Sequence, residues 1–329
     1  MANPPLATPF AARIAAFIWK FMALPFILRG DGSFSRRAAD FFDRKTPAID
    51  AEGVSARDLT IDDQDTDLWV RIFTPSSSSS TLPVIFFFHG GFFALCTPAS
   101  PHFDALCRNL ATACAAIVIS VNYRRIPEHR YPAAIDDGFE ALKYFQQHSS
   151  KNALLDLSNT FLVGDSAGGN LVHNLSSKLA LAREDLSPIV IRGQVLIQPS
   201  FGGESLTPSE KEFADVPFAN QRFSEWRWRA YLPPGASRDH PGCNPFGGEA
   251  PLDLAAMAIP PTLVVIGGSC PGQDRHAQYV DKLIAAGKEA QSIFVPGACH
   301  GFYLAPKFPH ARKFCEDIAT FVKIRVASS

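Results

Sequence analysis

Residues 159–172 read Asn-Thr-Phe-Leu-Val-Gly-Asp-Ser-Ala-Gly-Gly-Asn-Leu-Val. A short apolar run, Phe161 to Val163, enters Gly164-Asp165-Ser166-Ala167-Gly168, and a helix-compatible stretch, Asn170 to Ala182, leaves it. Strand, G-x-S-x-G, helix is the context in which this motif marks a nucleophile elbow. The serine stands at the tip of a strained turn. Side chains two residues before or after it would collide with the flanking strand and helix, which explains glycine at both places. The first N–H groups of the helix face the reacting centre, where an oxyanion develops. A turn that merely joins strand to helix is the alternative, and the partners elsewhere in the chain argue against it.

Two other segments supply those partners. His89-Gly90-Gly91-Phe92-Phe93 directly follows the apolar run Leu82 to Phe88. That is the place for the oxyanion loop of lipases and esterases. Gly91, Phe92 and Ala167 are expected to offer backbone N–H donors to this oxyanion hole, with Gly90 making its turn. His89 reads as a structural hydrogen-bonding residue. His300, in Cys299-His-Gly-Phe-Tyr303, precedes the last helix. The order Ser then acid then His puts the general base there, and an imidazole titrates near working pH. Phe93 and Asp165 are expected to line the substrate pocket.

Continuous apolar runs at Leu82–Phe88, Ala116–Val121, Val190–Ile197 and Thr262–Ile266 have the pattern of strands buried on both faces. Helical patterns alternate with them at Pro101–Ala113, Ala133–Gln147, Asp274–Ala286 and Ala311–Val322. The alternation means a mainly parallel sheet with helices on both sides. It fails between Phe201 and Pro261, a stretch rich in Pro, Gly and aromatics that reads as an inserted helical cap. Residues 1–60 look helical and then irregular, forming an N-terminal lid segment ahead of a catalytic domain over 61–329. Phe10, Ile14, Phe17, Phe21 and Leu24 recur at helical spacing. Arg13, Lys20 and Pro25 interrupt that apolar stretch, so stable membrane insertion is not expected.

The bulk numbers exclude other classes. The 31 basic and 32 acidic residues nearly cancel, so no nucleic-acid partner is implied. Seven scattered cysteines include no C-x-x-C pair, which leaves metal and thioredoxin-like readings unsupported and fits free thiols in a reducing, cytoplasmic setting.

The motifs together resemble the plant carboxylesterases of the hormone-sensitive-lipase-like group, which also contains the gibberellin receptors. The resemblance rests on His89-Gly90-Gly91, the stretch Val121 to Pro132, Gly164 to Asn170, Gln198-Pro199, Asp239 to Gly242 and His300-Gly-Phe302. It implies an α/β-hydrolase fold, a mobile N-terminal lid, small ester substrates, and no metal or organic cofactor. Two positions depart from the family. Phe92 stands where a third glycine is usual, which narrows the pocket toward flat or aromatic groups. Cys270 stands where the family carries its triad acid, in Gly267-Gly-Ser-Cys-Pro-Gly-Gln-Asp274. Asp274 matches the second aspartate of the family pattern. If the chain coils there, it lies one turn away, about 5.4 Å, and a loop adjustment would bring its carboxylate toward His300. Capping of the following helix is its alternative role. The expected activity is hydrolysis of a small, rather apolar ester. The alternatives are a hormone-like receptor on an inactive hydrolase, which Cys270 favours, and a dehydratase or cyclase that uses the same pocket.

Overall fold

The apolar runs become strands because their alternate side chains enter two different cores. The computed structural model describes residues 23–62, 65–76, 80–182, 185–214, 221–248, 253–304 and 309–327. Its strands are β1 Val54–Asp62, β2 Leu68–Pro75, β3 Leu82–Phe88, β4 Ile117–Asn122, β5 Leu155–Asp165, β6 Ile191–Ile197, β7 Thr262–Ser269 and β8 Ala290–Cys299. They form one sheet in the order β1-β2-β4-β3-β5-β6-β7-β8. β1 and β2 run antiparallel to their neighbours, and the pairings from β4 through β8 are parallel. In β3, Val84, Phe86 and Phe88 point into one core, whereas Ile85 and Phe87 point into the other.

Helices cover both faces. In chain order they are α1 Leu24–Ile27, α2 Arg36–Phe42, α3 Pro101–Cys114, α4 Ala133–Gln147, α5 Ala167–Ala182, α6 Pro208–Glu212, α7 Gln221–Tyr231, α8 Gln273–Ala285 and α9 Pro309–Ala327. Phe103, Leu106 and Leu110 of α3 join Phe314, Ile318 and Phe321 of α9 on one side. Phe139 of α4, Leu171 and Leu175 of α5, and Tyr279 of α8 fill the other. None of the helices among the described residues is long and apolar enough to cross a membrane.

The N-terminal part departs from expectation at β1. Val54–Asp62 is not irregular but an edge strand, paired with β2 from Val54↔Pro75 onward. Among its residues only Val54 and Ala56 are buried, so no apolar run announces it. Pro25 sits in the first turn of α1, where its missing N–H has no intrahelical acceptor anyway. The apolar stripe from Phe10 to Phe21 lies outside the described residues.

Between β6 and β7 the chain leaves the sheet and forms α6 and α7. Phe223, Trp226, Trp228 and Tyr231 of α7 are buried. The segment after α1 packs on this insertion: the rings of Phe34 and Trp226 stack at 4.9 Å, and Arg222 Nη2 donates to the carbonyl of Gly30 at 3.1 Å. The N-terminal segment and the insertion therefore meet above the carboxyl ends of the parallel strands, where ligand sites of such sheets lie.

Candidate active site

The strand β5 ends at Asp165 and α5 begins at Ala167, so Ser166 alone makes the turn. Its φ of 51° is left-handed, a conformation that costs a non-glycine residue about 1–3 kcal/mol. Close packing enforces it. A Cβ on Gly168 would lie 1.8 Å from the carbonyl oxygen of Phe88, and one on Gly164 would lie 2.3 Å from that of Gly168. Backbone bonds pin the turn from the neighbouring strand: Ser166 N–H donates to Ile197 O at 2.8 Å, and Ser200 N–H donates to Ser166 O at 2.7 Å.

The strain presents the hydroxyl to His300, with Ser166 Oγ 2.9 Å from His300 Nε2. His300 follows β8, in a loop that Gln198 holds from both sides. Gln198 Nε2 donates to Cys299 O at 3.2 Å, and Gly301 N–H donates to Gln198 Oε1 at 2.8 Å. Sequence reading assigned Gln198 no role. Its signals in the sequence are a polar residue directly after the buried run of β6 and the Gln198-Pro199 pair that the family resemblance includes.

On the far side of the ring, His300 Nδ1 lies 3.3 Å from Cys270 Sγ. For Nε2 to accept the serine proton, Nδ1 must carry hydrogen and direct it at the sulfur. Burial pushes the Cys270 thiol up to about 12, so the sulfur is neutral. Burial, and then the cation of Arg227, lower His300 to about 4 and keep its ring neutral at working pH.

Asp274 does not supply the carboxylate expected of it. Its Oδ2 accepts from Ser209 N–H at 2.8 Å, and its own N–H donates to Ser209 Oγ at 3.2 Å. The loop from Cys270 turns into α8 without the register shift that would carry Asp274 to the histidine. The carboxylate stands in the first turn of α8 and also receives the first turn of α6.

The loop that follows β3 is also strained. Phe92 and Phe93 have φ values of 58° and 62°. The N–H groups of Gly91, Phe92 and Ala167 have no acceptor among the described residues. Gly90 is different, because its N–H is spent on Asp165 Oδ1 at 2.7 Å. The other oxygen of Asp165 accepts from Tyr303 Oη–H at 3.0 Å, so this carboxyl ties the loop after β3 to the histidine loop. Burial raises it to about 7. Asp165 and Phe93, expected in the pocket, are both buried in the protein instead. Phe93 stacks on Tyr231 at 4.0 Å, which leaves Phe92 to face the cavity. His89 is structural in its contacts: its ring stacks on Tyr123 at 4.4 Å and its Nδ1 meets Gly90 O at 2.7 Å.

A cavity of about 280 Å³ opens beside these groups. Phe92, Ser200, Arg227, Trp228, Cys270 and His300 are part of its wall. It could hold a small ligand, and its wall mixes aromatic faces with charged side chains, among them the guanidinium groups of Arg227 and Arg238. Among the described residues no three His, Cys, Asp or Glu side chains gather as a metal site.

Comparison with known proteins agrees with this architecture. A family described as having the alpha/beta hydrolase fold matches residues 85–304. The chain is 39% identical over 318 residues to a gibberellin receptor of Arabidopsis thaliana, covering 92% of this chain and 90% of the receptor. It is 33% identical over 315 residues to carboxylesterase 20 of the same plant, covering 92% and 93% respectively. Among solved structures, the hyperthermophilic esterase of the archaeon Pyrobaculum calidifontis superposes with a TM-score of 0.78 at 26% identity, over 98% of this chain and 99% of the esterase. On the sheet order, the elbow and these matches, the chain belongs to the α/β-hydrolase family, in the branch shared by plant carboxylesterases and gibberellin receptors.

Proposed function

We propose that the protein is a serine carboxylesterase that acts on small esters through an acyl-enzyme. The observation that carries this reading is Ser166 Oγ at 2.9 Å from His300 Nε2, on a turn strained to present it. Ser166 attacks the acyl carbon while His300 Nε2 takes its proton and then returns it to the leaving alcohol. The amides of Gly91, Phe92 and Ala167 stabilise the oxyanion, each worth about 10²–10³ in rate. Water, activated by the same histidine, releases the acid. The residues 1–60 and the insertion over about 201–261 act as the cover of the pocket. The seven cysteines, all unpaired, support a reducing compartment.

Cys270 sets the rate. A neutral sulfur offers Nδ1–H a weak acceptor and no charge to stabilise the imidazolium. Loss of the acid in such a triad costs about 10⁴ in kcat, so turnover is slow but well above the uncatalysed reaction. The same residue favours a second reading, a small-molecule receptor like the gibberellin receptors the chain resembles. One experiment separates the two: hydrolysis of p-nitrophenyl butyrate by the wild type, Ser166→Ala and Asp274→Asn. Turnover that Ser166→Ala abolishes supports the esterase. Asp274→Asn should stay within about twofold of wild type, since an amide oxygen can still accept from Ser209 N–H. A wild type no faster than Ser166→Ala would leave the receptor reading standing.

A further inference from the structure

Arg227 stands in the cavity wall beside Glu210, Lys211, Glu225 and Arg238, and the esterase mechanism makes no use of its cation. It projects from α7, and its Nη1 donates to Ser200 Oγ at 2.7 Å. Ser200 in turn donates its N–H to the carbonyl of Ser166, so the guanidinium is anchored one residue from the nucleophile's backbone. Its carbon lies 4.7 Å from the ring centroid of Trp228 and 5.5 Å from that of Phe92. The two aromatic faces hold the fork in place and cover it from water.

No carboxylate among the described residues pairs with it. Its Nε is buried without a hydrogen-bond partner among the described residues. Glu210, whose field reaches it, is committed to Arg275, with contacts of 2.7 and 2.9 Å. A half-buried cation with an unused buried donor is costly unless an anion fills the place beside it. The cavity is where that anion can enter, because Arg227 and His300 share its wall.

We propose that Arg227 is a specificity-determining residue that receives a carboxylate of the ligand, so that the pocket selects esters carrying a free carboxylate remote from the scissile bond. The inference rests on the esterase reading for the word ester, but the anion site stands independently of it. The arrangement also bears on the missing acid. Unpaired, the Arg227 cation opposes protonation of His300. A ligand carboxylate on Arg227 cancels that field and eases formation of the imidazolium, part of what a triad carboxylate would have done.

The test uses two matched pairs of esters. On the alcohol side these are 4-carboxyphenyl and 4-carbamoylphenyl butyrate. On the acyl side they are monoethyl adipate and its terminal amide. The wild type should favour the acid of at least one pair by about tenfold to hundredfold in kcat/KM, the range of a charge-assisted hydrogen bond. Arg227→Gln should bring the ratio to about one, and Arg227→Lys should keep part of it. A second measurement needs no turnover: calorimetric binding of 4-phenylbutyrate against 4-phenylbutyramide. If no ester is hydrolysed but the acid binds at least tenfold more tightly than the amide, the esterase reading falls and the anion site stands. If esters are hydrolysed with no preference for the acid in either pair, or the preference survives in Arg227→Gln, the inference is overturned. It is also overturned if the acid binds no more tightly than the amide, which includes no measurable binding of either. Should Arg227→Gln fail to unfold cooperatively, the wild-type ratios and Arg227→Lys decide the matter.

Discussion

At the residue scale, the chemistry turns on what faces each nitrogen of one imidazole. Nε2 has the serine hydroxyl, as an esterase requires, and Nδ1 has a thiol where a carboxylate would be expected. Cys270→Asp should therefore raise kcat toward p-nitrophenyl butyrate by about 10²–10³, by giving the imidazolium a counter-charge. The pH profile supplies a separate check. His300 acts as a base only when neutral, and burial with Arg227 holds it down to about 4. Wild-type kcat/KM should therefore stay level from pH 7 to about 5 and fall only as pH approaches 4. In Cys270→Asp the new carboxylate favours the charged ring, so the acid limb should move to higher pH. A wild-type limb near 6.5 would contradict this account. These expectations concern side-chain positions that no local pattern announces. Cys270 and His300 are 30 residues apart, and only the pairing of β7 with β8 brings them together.

At the element scale, the insertion between β6 and β7 is clipped to the sheet through one helix end. Thr207 and Glu210 form a capping box at the start of α6. Ser209 then bonds Asp274 through its N–H and Pro271 through its hydroxyl, and Glu210 pairs with Arg275. Asp274 is thus part of the clip. Asp274→Ala should lower stability by about 0.5–2 kcal/mol, the usual cost of a lost cap, and should loosen α6 over the cavity. The measurement is chemical denaturation beside steady-state kinetics, with KM rising more than kcat falls. A collapse of kcat comparable to that of Ser166→Ala would restore Asp274 to the role of triad acid. Gln198 shows the same logic in the opposite sense. Its amide bridges Cys299 and Gly301 and so positions the histidine loop, although it stands far from His300 in sequence.

At the scale of the whole molecule, an ion network fastens the N-terminal approach to the domain. Arg71 on β2 pairs with Asp58 on β1 at 2.6 Å and with Asp104 on α3 at 3.2 Å. Arg108 pairs with Asp104 at 2.7 Å and donates to the carbonyls of Ile49, Ala51 and Val54. Arg71 also donates to Thr46 O at 2.8 Å. Apart from Val54, which opens β1, these backbone groups precede the first strand, so two arginines do there what a strand pairing does elsewhere. Asp104 is buried between them. Asp104→Ala should destabilise the protein by about 3–5 kcal/mol, because it strands two guanidinium groups without their shared partner. Thermal unfolding would show the loss, and a change below about 1 kcal/mol would mean that water or other carbonyls take over the charges.

The sequence alone determined the buried strands of the sheet, the elbow and the serine–histidine order. Those features rest on short-range physics: apolar runs that must be covered on both faces, and glycines that a tight turn requires within two residues of Ser166. Residues 82–88 and 161–168 carry that information wherever the rest of the chain goes. The tertiary structure alone decided which group meets His300 Nδ1, that Gly90 serves Asp165, that Phe93 turns into the core while Phe92 faces the cavity, and that Arg227 Nε meets no acceptor among the described residues. Each of those outcomes depends on where two distant elements stop relative to each other. A difference of one helical turn, about 5.4 Å, exchanges a thiol for a carboxylate. Hydrogen bonds form or fail over less than 1 Å, and no periodicity in the chain encodes a distance that fine.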